Sequence, residues 1–130
     1  MAALVDSSVW IAAQKSTTTE FFHLKKMIQE NESLYTCSLI QVEVSQGART
    51  EELFHKIWDS FLGFPHLEMT EDIYIRSAIH YFQCRKKGLT LTTIDCLIAT
   101  LAKYYDVPLW TLDKGLLKSH RVINFKIFEP

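Results

Sequence analysis

The sequence has little glycine (4) and little proline (3), which excludes collagen-like, proline-rich and flexible-linker architectures. Its three cysteines, Cys37, Cys84 and Cys96, are odd in number, and no two are spaced as C-x-x-C. That argues against a disulfide framework and against a zinc site. The five histidines include no pair at metal-ligand spacing on one helix. No run reaches the ~18 apolar residues of a membrane span. The N-terminus has no basic leader, and Asp6 interrupts its apolar run, so no signal peptide and no membrane association are expected and the expected location is cytoplasmic. The formal net charge is −1. No global basic field announces a nucleic-acid partner, so any such binding must come from a local patch or a metal.

What remains is a globular composition, 48% hydrophobic and 22% charged over 130 residues. A chain of that size and balance is expected to form one domain, 1–130, with a real core.

The pattern along the chain alternates. A short apolar run, residues 2–5, reads as a strand that stops at Asp6, and a helix follows around 8–14. The hydroxyl run Ser16-Thr17-Thr18-Thr19 leads into a helix over 20–29, with Phe21, Leu24 and Ile28 on one face. Residues 34–37 read as a second strand. Ser38 is placed to cap a third helix, with Gln41 as the return half of a capping box. Residues 51–62 form a helix whose apolar face is wide for a solvated one, and 65–69 a candidate strand. A long helix over 71–87 directs Ile73, Ala78, Ile79 and Phe82 inward and ends in a basic turn and Gly88. Another helix spans 94–104, a strand 107–111, and a last edge strand 122–128. Such alternation predicts an α/β fold: three layers, α/β/α, around a mainly parallel central sheet of four to five strands.

Four acids hold special positions in this scheme. Asp6 and Asp113 each follow a strand. Glu43 and Asp95 lie in the first turns of helices. Strand carboxyl ends and the amino ends of the following helices share one edge of a parallel sheet, where such folds place their ligands. Each acid alone has a plainer reading: Asp6 a helix cap, Asp95 the partner of Thr92 in a capping box, Asp113 a turn aspartate. Glu43, between Val42 and Val44, is harder to dismiss. Four clustered carboxylates raise each other's pKa values, so a fold that gathers them calls for a cation. Oxygen donors without nearby His or Cys suit Mg²⁺ or Mn²⁺.

These residues carry a resemblance. Asp6-Ser7-Ser8-Val9-Trp10-Ile11 after an N-terminal strand, Glu43, Thr93-Ile94-Asp95-Cys96-Leu97-Ile98-Ala99, and Thr111-Leu112-Asp113 resemble the PIN domain. Their order and spacing look most like the VapC-type toxins of bacterial toxin–antitoxin pairs. Leu116 stands where the family often has an aromatic, and Thr92-Thr93 where many members have proline or glycine.

The resemblance implies a metal-dependent endoribonuclease. Asp6 and Asp95 would be the principal ligands of Mg²⁺ or Mn²⁺, with Glu43 and Asp113 completing the set directly or through water. Ser7 and Thr111 would support them from behind. The products would carry 5′-phosphate and 3′-hydroxyl ends, and the substrate would be a structured RNA such as tRNA or rRNA. Lys114, Lys118 and Arg121 are candidate RNA contacts, with Lys15 and Arg49 as further ones. The implied partners are a cognate VapB-type antitoxin, which would use the apolar face of 51–62 and the pair Phe21-Phe22, and a second copy of the chain.

Other readings stay open at this level. A free-standing PIN endonuclease of RNA processing has the same residues. A non-catalytic PIN-like binding module would be expected to lose an acid, and all four are present. A haloacid-dehalogenase-type phosphatase needs an acid where Ser8 stands, and a phospho-receiver domain needs adjacent acids before its first helix.

Overall fold

A computed structural model describes all residues, 1–130. Its centre is β1 (Ala2–Val5), flanked by β2 (Ser33–Tyr35) and β3 (Leu109–Trp110) in the order β2-β1-β3. Both pairings are parallel, with Leu4 opposite Tyr35 on one side and Leu109 on the other. Parallel neighbours require helical crossovers, and these cover both faces of the sheet. They are α1 (Ser7–Ala12), α2 (Thr19–Gln29), α3 (Ser38–Ser45), α4 (Glu51–Ser60), α5 (Glu71–Lys86), α6 (Thr93–Tyr105) and α7 (Lys114–Ile123).

The strand period of two divides the core. Leu4 and Leu109 point to one face, where Ile40 of α3, Ile73 of α5, Ile98 and Leu101 of α6, and Leu116 of α7 pack. Ala3, Val5 and Trp110 point to the other, against Val9, Leu24, Met27 and Phe128. β1 is buried on both faces from Ala3 to Val5, as a continuous apolar run in a parallel sheet should be.

The sheet has three strands rather than four or five. The segment 65–69 makes a single bridge, Thr36 to His66, and 122–128 a single bridge, Leu109 to Ile127. Pro65 has no N–H to give, so this side offers carbonyls and one Leu67 N–H bond to Thr36 (2.8 Å). At the other end α7 uses the chain up to Ile123, and Asn124 leaves it in the left-handed region (φ 61). Beyond it the chain pairs with β3 only around Leu109, through Leu109 N–H to Lys126 O (2.8 Å) and Phe128 N–H to Leu109 O (2.9 Å). The helical spacing of Leu116, Ser119 and Ile123, all buried, is the signal for α7 that Gly115 in its first turn obscures.

Two helix faces also differ from expectation. On α5 the inward residues are Ile73, Ser77 and Cys84, while Ile79 and Phe82 are each 51% exposed. On α2 Leu24 and Met27 are buried and Ile28 faces outward. At α3 the cap position is Cys37, not Ser38. Gln41 closes no capping box: its amide donates to Trp58 O (2.9 Å) and its carbonyl meets His66.

Candidate active site

β1 ends at Asp6, and its position is fixed from several directions. Its N–H donates to Trp110 O at 2.9 Å, holding it to β3. It occupies the cap position of α1, yet its carboxylate caps nothing, since Val9 N–H bonds its main-chain carbonyl. The side chain has other partners. Ser8 Oγ and Thr111 Oγ1 each donate to Oδ2 at 2.7 Å. Both hydroxyls in turn accept backbone N–H groups, Ser8 from Leu112 (3.0 Å) and Thr111 from Asp113 (3.1 Å). Their protons are therefore committed to Asp6, which stays in one rotamer.

Asp6 is only 3% exposed, and its Oδ1 has no hydrogen-bond partner. Of the five buried side-chain polar atoms without a partner, it is the one carboxylate oxygen. A buried, unpaired carboxylate oxygen is costly unless something positive meets it.

The other acids reach this edge from separate elements. Glu43, on the second turn of α3, accepts from Ser7 Oγ at 3.2 Å. Burial pushes its carboxyl above the ordinary value, against the Ser7 bond, and the charges of Asp6 and Asp95 push the same way. Asp95 lies in the first turn of α6, where its N–H is capped by Thr92 Oγ1 (3.1 Å). Its carboxyl is also raised, by burial first, then by Asp113 and Asp6. Asp113 differs. Its Oδ1 accepts Leu116 N–H at 2.8 Å, so it caps α7. A Cβ on Gly115 would come within 3.3 Å of that oxygen, so glycine keeps the cap open.

The structure thus brings Asp6, Glu43, Asp95 and Asp113 to one edge, with Ser7 and Thr111 behind Glu43 and Asp6. Ser8 is the polar residue that sequence reasoning overlooked. Its signal was its place two residues after the acid, where an Asx-like side-chain bond is natural. Lys114 and Lys118 are exposed near the start of α7. Arg121 lies seven residues along, about 10 Å further down the axis, away from the acids.

No three His, Cys, Asp or Glu side chains lie close enough together to hold a metal ion between them. That does not disqualify the site for Mg²⁺ or Mn²⁺. Mg²⁺ keeps several waters and binds through one or two carboxylates rather than a full protein cage. An open edge of oxygen donors with a spare Oδ1 fits that demand.

The family profile of the PIN domain matches residues 3–121. No curated protein matches the chain by sequence. Solved structures do match its shape. A chain of VapBC2 from Rickettsia felis, crystallised with a DNA fragment from the promoter, has TM-score 0.78 at 17% identity, with 98% of each chain covered. VapBC-1 from nontypeable Haemophilus influenzae gives 0.77 at 15% identity, covering 99% of this chain and 98% of its own. VapC20 from Mycobacterium tuberculosis, a sarcin–ricin loop cleaving toxin, gives 0.70 at 12%, covering 98% and 99%. At these identities the likeness is one of fold. The profile match over nearly the whole length, on the fold just described, establishes that this chain belongs to the PIN domain family.

Proposed function

We propose that this protein is a divalent-metal-dependent endoribonuclease of the VapC toxin type, acting as a single domain in the cytoplasm and neutralised by an antitoxin. The observation that carries the reading is the buried, unpartnered Oδ1 of Asp6 at an edge shared with three other carboxylates. The family supports nuclease chemistry. VapC20, described as cleaving the sarcin–ricin loop, supports a structured RNA as substrate, and the VapBC complexes support an antitoxin.

Asp6 and Asp95 would hold Mg²⁺ or Mn²⁺, with Glu43 and Asp113 joining directly or through water. When bound, the ion supplies Lewis-acid stabilisation of the charge that develops on the phosphate. The chain's own residues do the rest. Ser8 and Thr111 hold Oδ2 of Asp6, which leaves Oδ1 as the oxygen that would meet a cation. Ser7 holds one oxygen of Glu43, which leaves the other to accept a proton from the attacking water. That water's oxygen forms the new bond to phosphorus. As that bond forms, the bond from phosphorus to the 3′-oxygen breaks; the 3′-oxygen takes a proton from solvent and leaves as a hydroxyl, and the other product keeps a 5′-phosphate. Asp113, tied by its cap bond, contributes its second oxygen. Lys114 and Lys118 at the rim meet RNA phosphates; Arg121 lies farther off.

A groove of about 430 Å³ between α2 and α4, walled by Trp10, Phe21, Leu24, Ile28, Ile57 and Phe61, suits an apolar antitoxin segment. A basic side chain at its end would enter the acids. On α5, Tyr74, Ile75, Ile79 and Phe82 are each more than half exposed, an apolar face suited to a second copy.

Mapping the 5′ ends of cellular RNA after expression tests the reading. New 5′-phosphate ends at a few positions are expected for the wild type and none for Asp6→Asn. The same ends with both proteins would refute it.

A further inference from the structure

A cavity of about 530 Å³ opens beside Glu43, between α1, the end of α3 and α4. Ile11, Leu53 and Ile57 form apolar walls, and Gln14 and Arg49 bring polar groups. Ile11 is 48% exposed and Leu53 43%, so these walls are open rather than packed. Arg49 belongs to none of the six ion pairs. A guanidinium without an ion-pair partner therefore lines an apolar slot that a carboxylate of the acidic edge, Glu43, also lines.

We infer that this cavity seats one unpaired nucleotide of the RNA, next to the phosphate that is cut. The inference rests on the nuclease reading. A nucleobase has apolar faces and polar edges, as this slot does. Arg49 offers a planar fork to the nucleotide's phosphate. Gln14 carries both a donor and an acceptor, which suits a base edge. Adjacency to the acids does the rest, because Glu43 lines both the cavity and the catalytic edge.

Each of the two hollows has one cation on its wall, Lys25 in the α2–α4 groove and Arg49 in this cavity, but only the cavity borders an acid of the reacting edge. The α2–α4 groove shares Gln14, Val44 and Ile57 with it, but Arg49 and Glu43 line only the cavity. A cation next to the reacting edge favours a nucleotide over an apolar peptide. A base can enter only when unpaired, so cleavage falls in loops or single strands of the substrate.

The test uses full-length protein carrying Asp95→Asn, which keeps RNA intact during binding. A labelled single-stranded RNA and a duplex of the same sequence are titrated by fluorescence anisotropy in Mg²⁺. Two further substitutions are compared, Arg49→Ala and Ala48→Leu, the second adding bulk to the cavity wall. Each should weaken single-strand binding about tenfold, the size of one lost base or phosphate contact, and leave duplex binding unchanged. If Ala48→Leu does not fold, the exposed Arg49→Ala decides alone. Parent-like affinity in the variants overturns the inference and leaves the cavity to the protein partner. Separately, failure of the wild type to cleave RNA in Mg²⁺ would overturn the nuclease reading; wild-type cleavage together with parent-like binding by the two cavity variants would overturn the subsite alone.

Discussion

At the carboxyl edge of the sheet, Asp6 is buried with one oxygen unpaired, and its charge helps to raise the carboxyl pKa values of Glu43 and Asp95. Along α4, across α1 from that edge, not one residue is buried, although Phe54 and Trp58 stack at 5.9 Å and Ile57 lines the groove. Both regions carry a cost the chain does not remove by itself. At the edge the cost is electrostatic and the geometry is rigid, because Ser8 and Thr111 tie Asp6 to the loop before α7. In the groove the cost is exposed apolar surface, and the walls are helix faces with nothing across from them. A small ion can relieve the first. Only a second chain has the size to relieve the second. On the proposed function, the edge would be the place of chemistry and the groove the place where a partner controls it.

The largest expected effect breaks the edge. Asp95→Asn should lower the RNA cleavage rate by roughly a thousandfold, because the ion's contribution is worth several kcal/mol. Circular dichroism should show the fold retained. Next comes a contrast inside the groove. Phe61 is buried beneath it and Ile28 is 47% exposed on its wall. Phe61→Ala should cost about 3–5 kcal/mol in a denaturant melt, and Ile28→Ser within about 0.5 kcal/mol. Equal losses would mean that the groove is core rather than surface.

A smaller effect comes from the residues behind the acids. Thr111→Val keeps the shape and removes one of two donors to Asp6 Oδ2. It should weaken Mn²⁺ binding by about 10–100-fold in a calorimetric titration, with Ser8→Ala comparable. The smallest effect is on pH-dependent stability. Glu43 and Asp95 have raised folded pKa values, so the folded state holds their protons more tightly than the unfolded chain does. Metal-free stability should therefore be gained on acidification towards the ordinary carboxylate range and lost as pH rises through the raised values. Thermal melts in chelator should show that slope, and Asp95→Asn should flatten it. A slope of the opposite sign would remove the electrostatic cost from the account.

The contrast also explains what was legible in the sequence. Asp6, Glu43, Asp95 and Asp113 mark strand ends and helix starts, and in a parallel sheet those boundaries share one edge. Position in the chain therefore translated into position in space. The apolar residues gave no such guide. Ile79 and Phe82 repeat at helical spacing just as core residues do, and only the packing of α5 on α6 shows that Ser77 and Cys84 face inward instead. The last helix escaped because Gly115 weakens its first turn and Val122 to Phe128 is rich in strand formers. Ser8 escaped because a hydroxyl beside a helix start reads as capping; its bond to Asp6 is local, but the Leu112 N–H that orients it comes only with β3 alongside β1.

Mn²⁺ binding to wild type and Asp6→Asn, read by electron paramagnetic resonance, tests the central claim most directly. The wild type should bind the ion and Asp6→Asn, folded, should not. Equal affinity in the two proteins would contradict it.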